Sequence, residues 1–287
     1  MIRKHSINEI RSIVAKLDKR HDKSWLAGQE ERKVLEAEFH DMKHEHLEEV
    51  KKKRVTDTEE AIFTNRKYYK AVEGASNYMG QWIKQEANGH IFLDYCCGIA
   101  GNSIKAALAG ADLVIGVDIS AHSIKVAEQR ARDAGVADKC LFLVGDAEKT
   151  GLPTGIIERG ICSGVLHHLD LDFALPELTR LLAPGGKYLA GEALSYNPAI
   201  KLYRYFTPGI RTDWEKAHIL SLKDLRKTRK FLHVENLKFW HITAISGPHL
   251  PSFMLPILNK LDRVLERIPI IQLMAWMFTY EMVSKNR

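Results

Sequence analysis

The strongest constraint on the fold is an alternation of short apolar runs with helical patterns that begins near residue 90. The apolar runs are "IFLDY" at 91–95, "DLVIGVD" at 112–118, "CLFLVG" at 140–145, "GICSGV" at 160–165 and "KYLAGEAL" at 187–194. Between them, apolar residues recur every three or four positions, as they do in amphipathic helices. This alternation predicts a parallel sheet with right-handed crossovers, and such sheets bind ligands at the carboxyl ends of their strands.

The first 88 residues have a different pattern. Ile7, Ile10, Val14 and Leu17 recur at helical spacing, and no strand pattern appears in this region. We therefore predict an N-terminal helical cap over 1–88 and one α/β domain over 89–287. The alternation pauses over about 196–236, which indicates an insertion in that domain.

Composition narrows the class of protein. Lys+Arg 42 against Asp+Glu 36 gives a net charge of +6, which fits either solvated helix surfaces or an anionic partner. The four cysteines lie in or beside strand-like runs without a CxxC pair, which predicts reduced thiols and no metal site. The N-terminus lacks the apolar region of a signal peptide, and the charge-free stretch 268–280 is too short to cross a bilayer as a helix. These features predict a cytoplasmic protein.

The turn after the first apolar run, "IFLDYCCGIAGNSI" at 91–104, is the most informative local motif. It matches the dinucleotide pattern GxGxxG only if Cys96 replaces the first glycine, so it fits either a dinucleotide or another nucleotide cofactor. Asp94 distinguishes the two, because a carboxylate there repels a pyrophosphate and attracts a cationic amino group.

Residues 93–101, "LDYCCGIAG", resemble the first motif, L-D-x-G-C-G-x-G, of the class I S-adenosylmethionine-dependent methyltransferases. The layout after it resembles the branch that methylates small molecules such as ubiquinone and menaquinone precursors. The resemblance implies a Rossmann-like, doubly wound seven-stranded sheet, mostly parallel with an antiparallel last strand, and S-adenosylmethionine as cofactor. It also implies that Asp94 holds the methionine amino group, while Cys96, Gly98 and Gly101 pass under the cofactor. Cys96 and Ala100 stand where the family usually has glycine.

The resemblance extends to the ends of the next strands. Asp118, followed by Ile119, matches the residues that bind the ribose hydroxyls, and Asp146 with Ala147 matches the pair that reads the adenine edge. Ser163, at the end of the fourth run, is assigned to the same site. Each acid alone also fits a strand-end turn, where Asp is common.

Methyl transfer by in-line displacement requires that the acceptor be positioned and, for some acceptors, deprotonated. The candidates for catalysis are His167, His168 and Glu192, each of which also fits a structural role. The candidates for substrate binding are Tyr68, Tyr69, Tyr203, Arg211 and His218. Tyr95 either borders the cofactor's sulfonium or packs in the core, and His40 is either a lid residue or a solvated side chain.

The sequence therefore predicts methyl transfer from S-adenosylmethionine to a small-molecule acceptor. An RNA or other nucleic-acid methyltransferase and a non-catalytic cofactor-binding scaffold remain alternatives. The runs "KFWHITAIS" at 238–246 and "MAWMFTYEMVS" at 274–284 resemble the family's last two strands. A dehydrogenase is disfavoured by Asp94 and by this last strand pair. The apolar stretch 249–278 carries Lys and Arg at its edges, which leaves open a peripheral membrane contact.

Overall fold

A computed structural model describes residues 5–52, 73–207 and 212–285. Its centre is one seven-stranded sheet with the strand order β3-β2-β1-β4-β5-β7-β6, which confirms the predicted fold class. The strands are β1 Ile91–Tyr95, β2 Leu113–Asp118, β3 Cys140–Val144, β4 Ile157–Ser163, β5 Leu182–Ala193, β6 His233–Trp240 and β7 Met277–Val283.

Helices cover both faces of this sheet and its carboxyl edge. The described α-helices are α1 Ile7–Leu17, α2 Lys23–Ala27, α3 Glu31–Lys52, α4 Gly74–Glu86, α5 Gly101–Leu108, α6 Ala121–Asp133, α7 Leu171–Leu181, α8 Pro198–Phe206, α9 Asp213–Ala217, α10 Leu222–Phe231 and α11 Leu255–Leu265.

The direction of the strands determines where a ligand site forms. Strand β1 pairs in parallel with β2 on one side and with β4 on the other, so the order reverses beside β1. A crevice opens at the carboxyl ends of the strands where the order reverses. Strand β7 runs antiparallel to β5, and its first residue, Met277, pairs with Ala193. The start of β7 therefore lies at the same edge of the sheet.

The core explains why the alternating pattern folds this way. Strand residues such as Phe92, Leu93 and Leu113 are fully buried, because helices cover both faces of a parallel sheet. Helix α4 packs on one face through Trp82 and Ile83, which join the cluster that contains Phe92. This helix lies within the range predicted as a cap, yet it belongs to the layer of helices on the sheet.

The first helices attach to the outer strand and then reach the carboxyl edge. Lys19 N–H donates to Val144 O at 2.9 Å, and the Asp18 carboxylate accepts the Val144 N–H at 3.0 Å. Helix α1 buries Ile10 and Val14 in the main core. Helix α3 packs against α6 at the carboxyl edge. The domain division at residue 88 stays a prediction.

Within the described ranges, every helix is too short or too polar to cross a bilayer.

Candidate active site

A cavity of about 130 Å³ lies at the carboxyl edge between the strand ends and α3. One side, called here the sheet wall, consists of Cys96, Gly98, Asp118, Ile119, Asp146, Ala147, Gly164 and Val165. The opposite side, called the helical wall, consists of Arg32, Lys33, Glu36 and His40 of α3. Ser123, His168 and Leu169 complete the lining.

The turn from β1 to α5 has left-handed backbone at three positions. Cys96, Gly98 and Ala100 have φ values of 53°, 48° and 64°. A side chain in this region costs roughly 1–2 kcal/mol, which explains why glycine is common at Cys96 and Ala100 in the family that the motif resembles. A Cβ added at Gly98 or Gly101 would meet no atom within 4 Å. The turn therefore leaves open space for a ligand.

Asp118 joins this turn to the start of α6. Its carboxylate accepts the Gly98 N–H at 2.8 Å and the Ser120 N–H at 2.9 Å. Burial raises the pKa of Asp118. A carboxylate offers about four acceptor positions, so two remain for ligand hydroxyls. Ile119 lies next to it on the sheet wall.

Asp94 lies beneath the cavity rather than on its lining. It is 3% exposed, and its Oδ2 accepts the Ser103 N–H at 2.8 Å and the Ser103 hydroxyl at 2.6 Å. Burial raises its pKa to about 7 in spite of these bonds. A cationic group nearby would stabilise the charged form, because opposite charges lower a carboxyl pKa. Its predicted contact with the cofactor's amino group stays a prediction.

The end of β3 presents Asp146 and Ala147 to the cavity. Asp146 accepts the Glu148 N–H at 2.9 Å and the Lys33 ammonium at 2.8 Å. Tyr95 is fully buried and donates its hydroxyl to Ala147 O at 2.5 Å. Of the two alternatives for Tyr95, the core position is therefore the one observed.

Ser163, at the end of β4, is directed away from the cavity lining. Its hydroxyl lies 3.9 Å from the Met79 sulfur, while the next two residues, Gly164 and Val165, line the cavity. The sequence assigned Ser163 to the cofactor on its position alone, and a contact between them stays a prediction.

The helical wall is held to the sheet wall by charge. Lys33 lies 2.9 Å from Glu148 as well as close to Asp146, and Arg32 lies 2.6 Å from Glu148. Asp41, one residue after the wall, accepts the Ser120 hydroxyl. Pockets for drug-sized ligands usually hold roughly 300–1,000 Å³, so this cavity is small for a whole nucleotide cofactor. The cavity between the two walls is therefore smaller than such a cofactor requires with α3 in this position.

The sequence analysis missed Arg32, Lys33 and Glu36. A signal was present, since Lys33, Glu36 and His40 recur at i, i+3 and i+7 and so share one face of a helix. His40 does line the cavity, which fits the lid alternative for that residue rather than the solvated one. What the sequence did not show is where this helix lies.

Glu192 organises the loop after β4. It is fully buried, and its Oε1 accepts the N–H groups of Val165 and Leu166 at 2.9 Å each. Its Oε2 lies 2.8 Å from His167 Nδ1. The carboxylate therefore orients the imidazole so that Nε2 faces away from it, 3.9 Å from Glu215 Oε1.

His168 connects this loop to α3. Its Nδ1 lies 3.1 Å from Glu36 Oε2, and its ring centroid is 4.2 Å from that of His167. Burial lowers the pKa of His168, but the hydrogen bond to Glu36 and the negative charges of Glu36, Glu215 and Glu192 together outweigh it, so the net pKa is raised. Of the two histidines, His168 lines the cavity and His167 lies behind it.

Of the five predicted substrate-binding residues, only His218 has a described side chain. Tyr68, Tyr69 and Arg211 lie outside the described residues, as does the side chain of Tyr203. His218 is exposed and stacks on Trp214 with the ring centroids 3.8 Å apart.

His218 and Trp214 line a groove of about 800 Å³ between α3 and α9. Arg32 and Glu36 line both this groove and the cavity, so α3 forms the partition between them.

Two clusters of side chains beside the cavity have atoms that a metal ion uses. They are Glu36, His40 and His168, and His167, His168 and Glu215, each with the ligand atoms within 4.8 Å of one another. Direct contacts between Glu36 and His168 account for part of this proximity. The same atoms can bind and move protons, which is the use that the catalytic prediction gives them.

The residues present fit S-adenosylmethionine in kind. Two acids on the sheet wall offer acceptors to hydroxyl and amino groups, and the buried carboxyl group of Asp94 lies beneath the left-handed turn, where a cationic group would favour its charged form. The family model described as "Methyltransferase domain" matches residues 93–190, which include these acids and the turn.

Two curated relatives and one solved structure show the range of similar proteins. The sterol 4-C-methyltransferase of Caenorhabditis elegans is 25% identical over 136 residues, 47% of this chain and 40% of that protein. The ribosomal protein L11 methyltransferase of Photobacterium profundum is 30% identical over 108 residues, 37% and 35% of the two chains. The chain therefore spans less than half the length of these relatives.

The solved structure is a geranyl diphosphate C-methyltransferase from Streptomyces coelicolor A3(2), in complex with Mg²⁺, geranyl diphosphate and S-adenosyl-L-homocysteine. It has a TM-score of 0.53 at 16% identity, over 74% of this chain and 79% of that one, which supports the same fold. Taken with the turn and the strand order, these similarities show that residues 93–190 carry a methyltransferase domain on this fold, and the cofactor of such domains is S-adenosylmethionine.

Proposed function

We propose that the protein transfers the methyl group of S-adenosylmethionine to a small-molecule acceptor. The observation that carries this proposal is the arrangement of Asp94, Asp118 and Asp146 at three neighbouring strand ends around a left-handed turn. When bound, S-adenosylmethionine supplies an electrophilic methyl group on its sulfonium. The chain then has to orient the acceptor and exclude water.

The groove between α3 and α9 is the proposed acceptor site. Its apolar wall contains Leu35, Phe39, Met42 and Trp214, and it adjoins the cofactor cavity along α3. An outward shift of α3 would join the groove to the cavity. Tyr203, Arg211 and His218 stay proposed as acceptor contacts from the adjoining segment.

His167 is the proposed base for an acceptor that must lose a proton. Its Nδ1 is held by Glu192 at 2.8 Å, which leaves Nε2, 3.9 Å from Glu215 Oε1, to accept the proton. As the acceptor atom bonds to the methyl carbon, its proton passes to Nε2, and the carbon–sulfur bond breaks. His168 borders the cavity beside it and is proposed to position the acceptor through its link to α3.

The charge of the groove favours a small molecule over a nucleic acid. Among the described residues that line it, the acids Glu31, Glu36, Glu38 and Asp213 outnumber the cation Arg32. Nucleic-acid binding depends on cations that neutralise phosphates, so an acidic groove disfavours that acceptor. The sterol-acting relative fits a small acceptor, whereas the ribosomal-protein relative shows that similar domains also serve macromolecules.

A non-catalytic scaffold is the second candidate. The ion pairs between Lys33 and both Asp146 and Glu148 favour it, because they occupy the carboxylates that a cofactor would use. The four free thiols fit the proposed cytoplasmic, reducing compartment in either case.

The test is a transfer assay with radiolabelled S-adenosylmethionine and cell extract separated into small-molecule, RNA and protein fractions. We expect label in the small-molecule fraction with the parent chain and little with His167→Ala. Label in RNA or protein instead would contradict the choice of acceptor. Cofactor binding without transfer to any fraction would favour the scaffold.

A further inference from the structure

Helix α11 presents its apolar side to water. Ile257, Leu261 and Val264 are 58%, 45% and 59% exposed. They recur at i, i+4 and i+7 and so form one stripe along the helix. The buried residue of α11 is Asp262, at 3% exposure. A helix that packs on a core does the opposite, burying its apolar stripe.

The acids of this segment face inward and are satisfied there. Asp262 accepts the N–H groups of Thr243 at 2.7 Å and Ala244 at 3.0 Å. Glu266 accepts the His241 N–H at 2.6 Å. These bonds satisfy backbone donors of the 241–244 segment. Leu255 and Leu258 pack beside them against a small buried cluster, so polar and apolar contacts together hold this face of α11 inward.

The exposed charges of the segment are all positive. Lys260 and Arg263 are exposed on a stripe of the helix beside the apolar one, and Arg267 is exposed in the turn just after the helix ends. Residues 250–274 are all described, and none of the exposed ones is acidic.

The apolar surface continues beyond both ends of the helix. Phe253 is 71% exposed before it, and Ile270 is 80% exposed after it. Ile270 has a φ of 73°, which is an outlier for a β-branched side chain and costs on the order of 1–3 kcal/mol. We call the set Phe253, Ile257, Leu261, Val264, Ile268, Ile270 and Ile271 the apolar ridge. Strained backbone that holds an apolar side chain in water indicates a contact with something else.

The apolar ridge connects to the catalytic edge of the sheet. The chain passes from the ridge into β7, whose first residue pairs with Ala193, next to Glu192. The Leu194 N–H donates to Trp276 O at 2.8 Å, so this connection is fixed to the end of β5.

We propose that the apolar ridge docks the protein on an anionic lipid bilayer surface. The ridge enters the interface between headgroups and acyl chains, and Lys260, Arg263 and Arg267 contact anionic headgroups. A second copy of the chain fits less well, because it would bring two sets of these cations together. The docking goes beyond methyl transfer and does not depend on it.

The test is co-sedimentation of the full chain with vesicles of phosphatidylcholine alone or mixed with phosphatidylglycerol. We expect binding to the mixed vesicles, much weaker binding to the neutral ones, and loss of binding with added salt. Three single variants, Lys260→Gln, Arg263→Gln and Arg267→Gln, should each bind the mixed vesicles about fivefold more weakly than the parent, which is the effect of one basic residue near an anionic surface.

The ridge variant Ile257→Gln with Leu261→Gln and Val264→Gln should lose most of its binding. A matched control is Leu108→Gln with Phe173→Gln, which removes apolar side chains that are 65% and 56% exposed elsewhere. Circular dichroism checks that each variant folds. The proposal is overturned if the parent chain does not bind the mixed vesicles, or if the ridge variant binds them as the parent does. It is also overturned if, in sedimentation without vesicles, the parent forms a dimer or a complex with an acidic protein and the ridge variant does not.

Discussion

The two walls of the cofactor cavity differ in what determines them. The sheet wall is built from strand ends, so Asp118 and Asp146 are placed by the hydrogen-bonded sheet and by backbone N–H groups. The helical wall is attached by side-chain ion pairs from Lys33 and Arg32. Ion pairs between buried side chains offset the cost of removing their charges from water only in part, so they hold a helix less firmly than a hydrogen-bonded ladder holds a strand. We therefore expect the sheet wall to keep its shape and the helical wall to move.

The largest effect should come from behind the sheet wall. His167→Ala removes the proposed base, and general-base catalysis typically contributes about 10²–10⁴-fold. Turnover should fall by about a hundredfold or more, while the dissociation constant for S-adenosylhomocysteine changes little. Steady-state kinetics and calorimetric titration measure the two quantities. Equal turnover in the variant would return His167 to a structural role.

The next effect tests the sheet wall itself. Asp118→Ala removes a carboxylate that holds Gly98 and has acceptor positions left for the ribose, so affinity for S-adenosylhomocysteine should fall at least about tenfold. Asp112→Ala, an exposed acid before β2, is the matched control and should bind like the parent. Calorimetric titration measures both. Similar affinities for the two variants would place the cofactor away from β2.

Asp94, which lies beneath the sheet wall, should make the affinity for S-adenosylmethionine depend on pH. Its pKa of about 7 means that it is protonated at lower pH and then no longer attracts a cationic amino group. Affinity for S-adenosylmethionine should therefore fall as the pH is lowered from about 7 to about 5, by up to tenfold per unit.

The raised pKa of Asp94 affects the stability of the fold in the opposite direction from its effect on cofactor affinity. Because the folded pKa of Asp94 lies above the unfolded value, its contribution to the free energy of unfolding is lost as the pH rises towards 7. Asp94→Asn should flatten both profiles. A parent chain whose affinity does not change over this range would contradict the assigned contact.

The smallest effect should come from the helical wall. Lys33→Met keeps most of the apolar stem but releases Asp146 and Glu148, so the cofactor should associate about threefold faster, at a cost of about 3 kcal/mol in the free energy of unfolding, because Lys33 and Glu148 are buried. Stopped-flow binding and denaturant titration measure the two. Lys125→Met, at an exposed position on α6, is the matched control. A slower association in Lys33→Met would mean that this wall helps to capture the cofactor instead of excluding it.

The positions of the sheet-wall residues could be predicted from the sequence because the patterns that indicate them are local. The run before Asp94, the small residues after it and Asp118 at the end of the next run are each readable within a few positions. Even the unusual Cys96 and Ala100 fit, since the backbone adopts left-handed angles there with a side chain present.

The helical wall could not be predicted in the same way, because its partners are distant in sequence. Lys33 meets Asp146 from 113 positions away, and Glu36 meets His168 from 132 positions away. Periodicity shows that α3 has a polar face but not what that face contacts. For the apolar ridge the sequence left open whether the stretch 249–278 packs on the sheet or contacts a membrane, since an amphipathic pattern does not say which side faces the core. In the structure the acids of α11 face inward, where they accept backbone N–H groups.

The central claim is that the cavity between the two walls binds S-adenosylmethionine. Calorimetric titration of the full chain and of Lys33→Met with S-adenosylmethionine, S-adenosylhomocysteine and NADH tests it most directly. The account predicts binding of the first two by both proteins and no binding of NADH. Binding of NADH, or no binding of any of the three even by Lys33→Met, would contradict it.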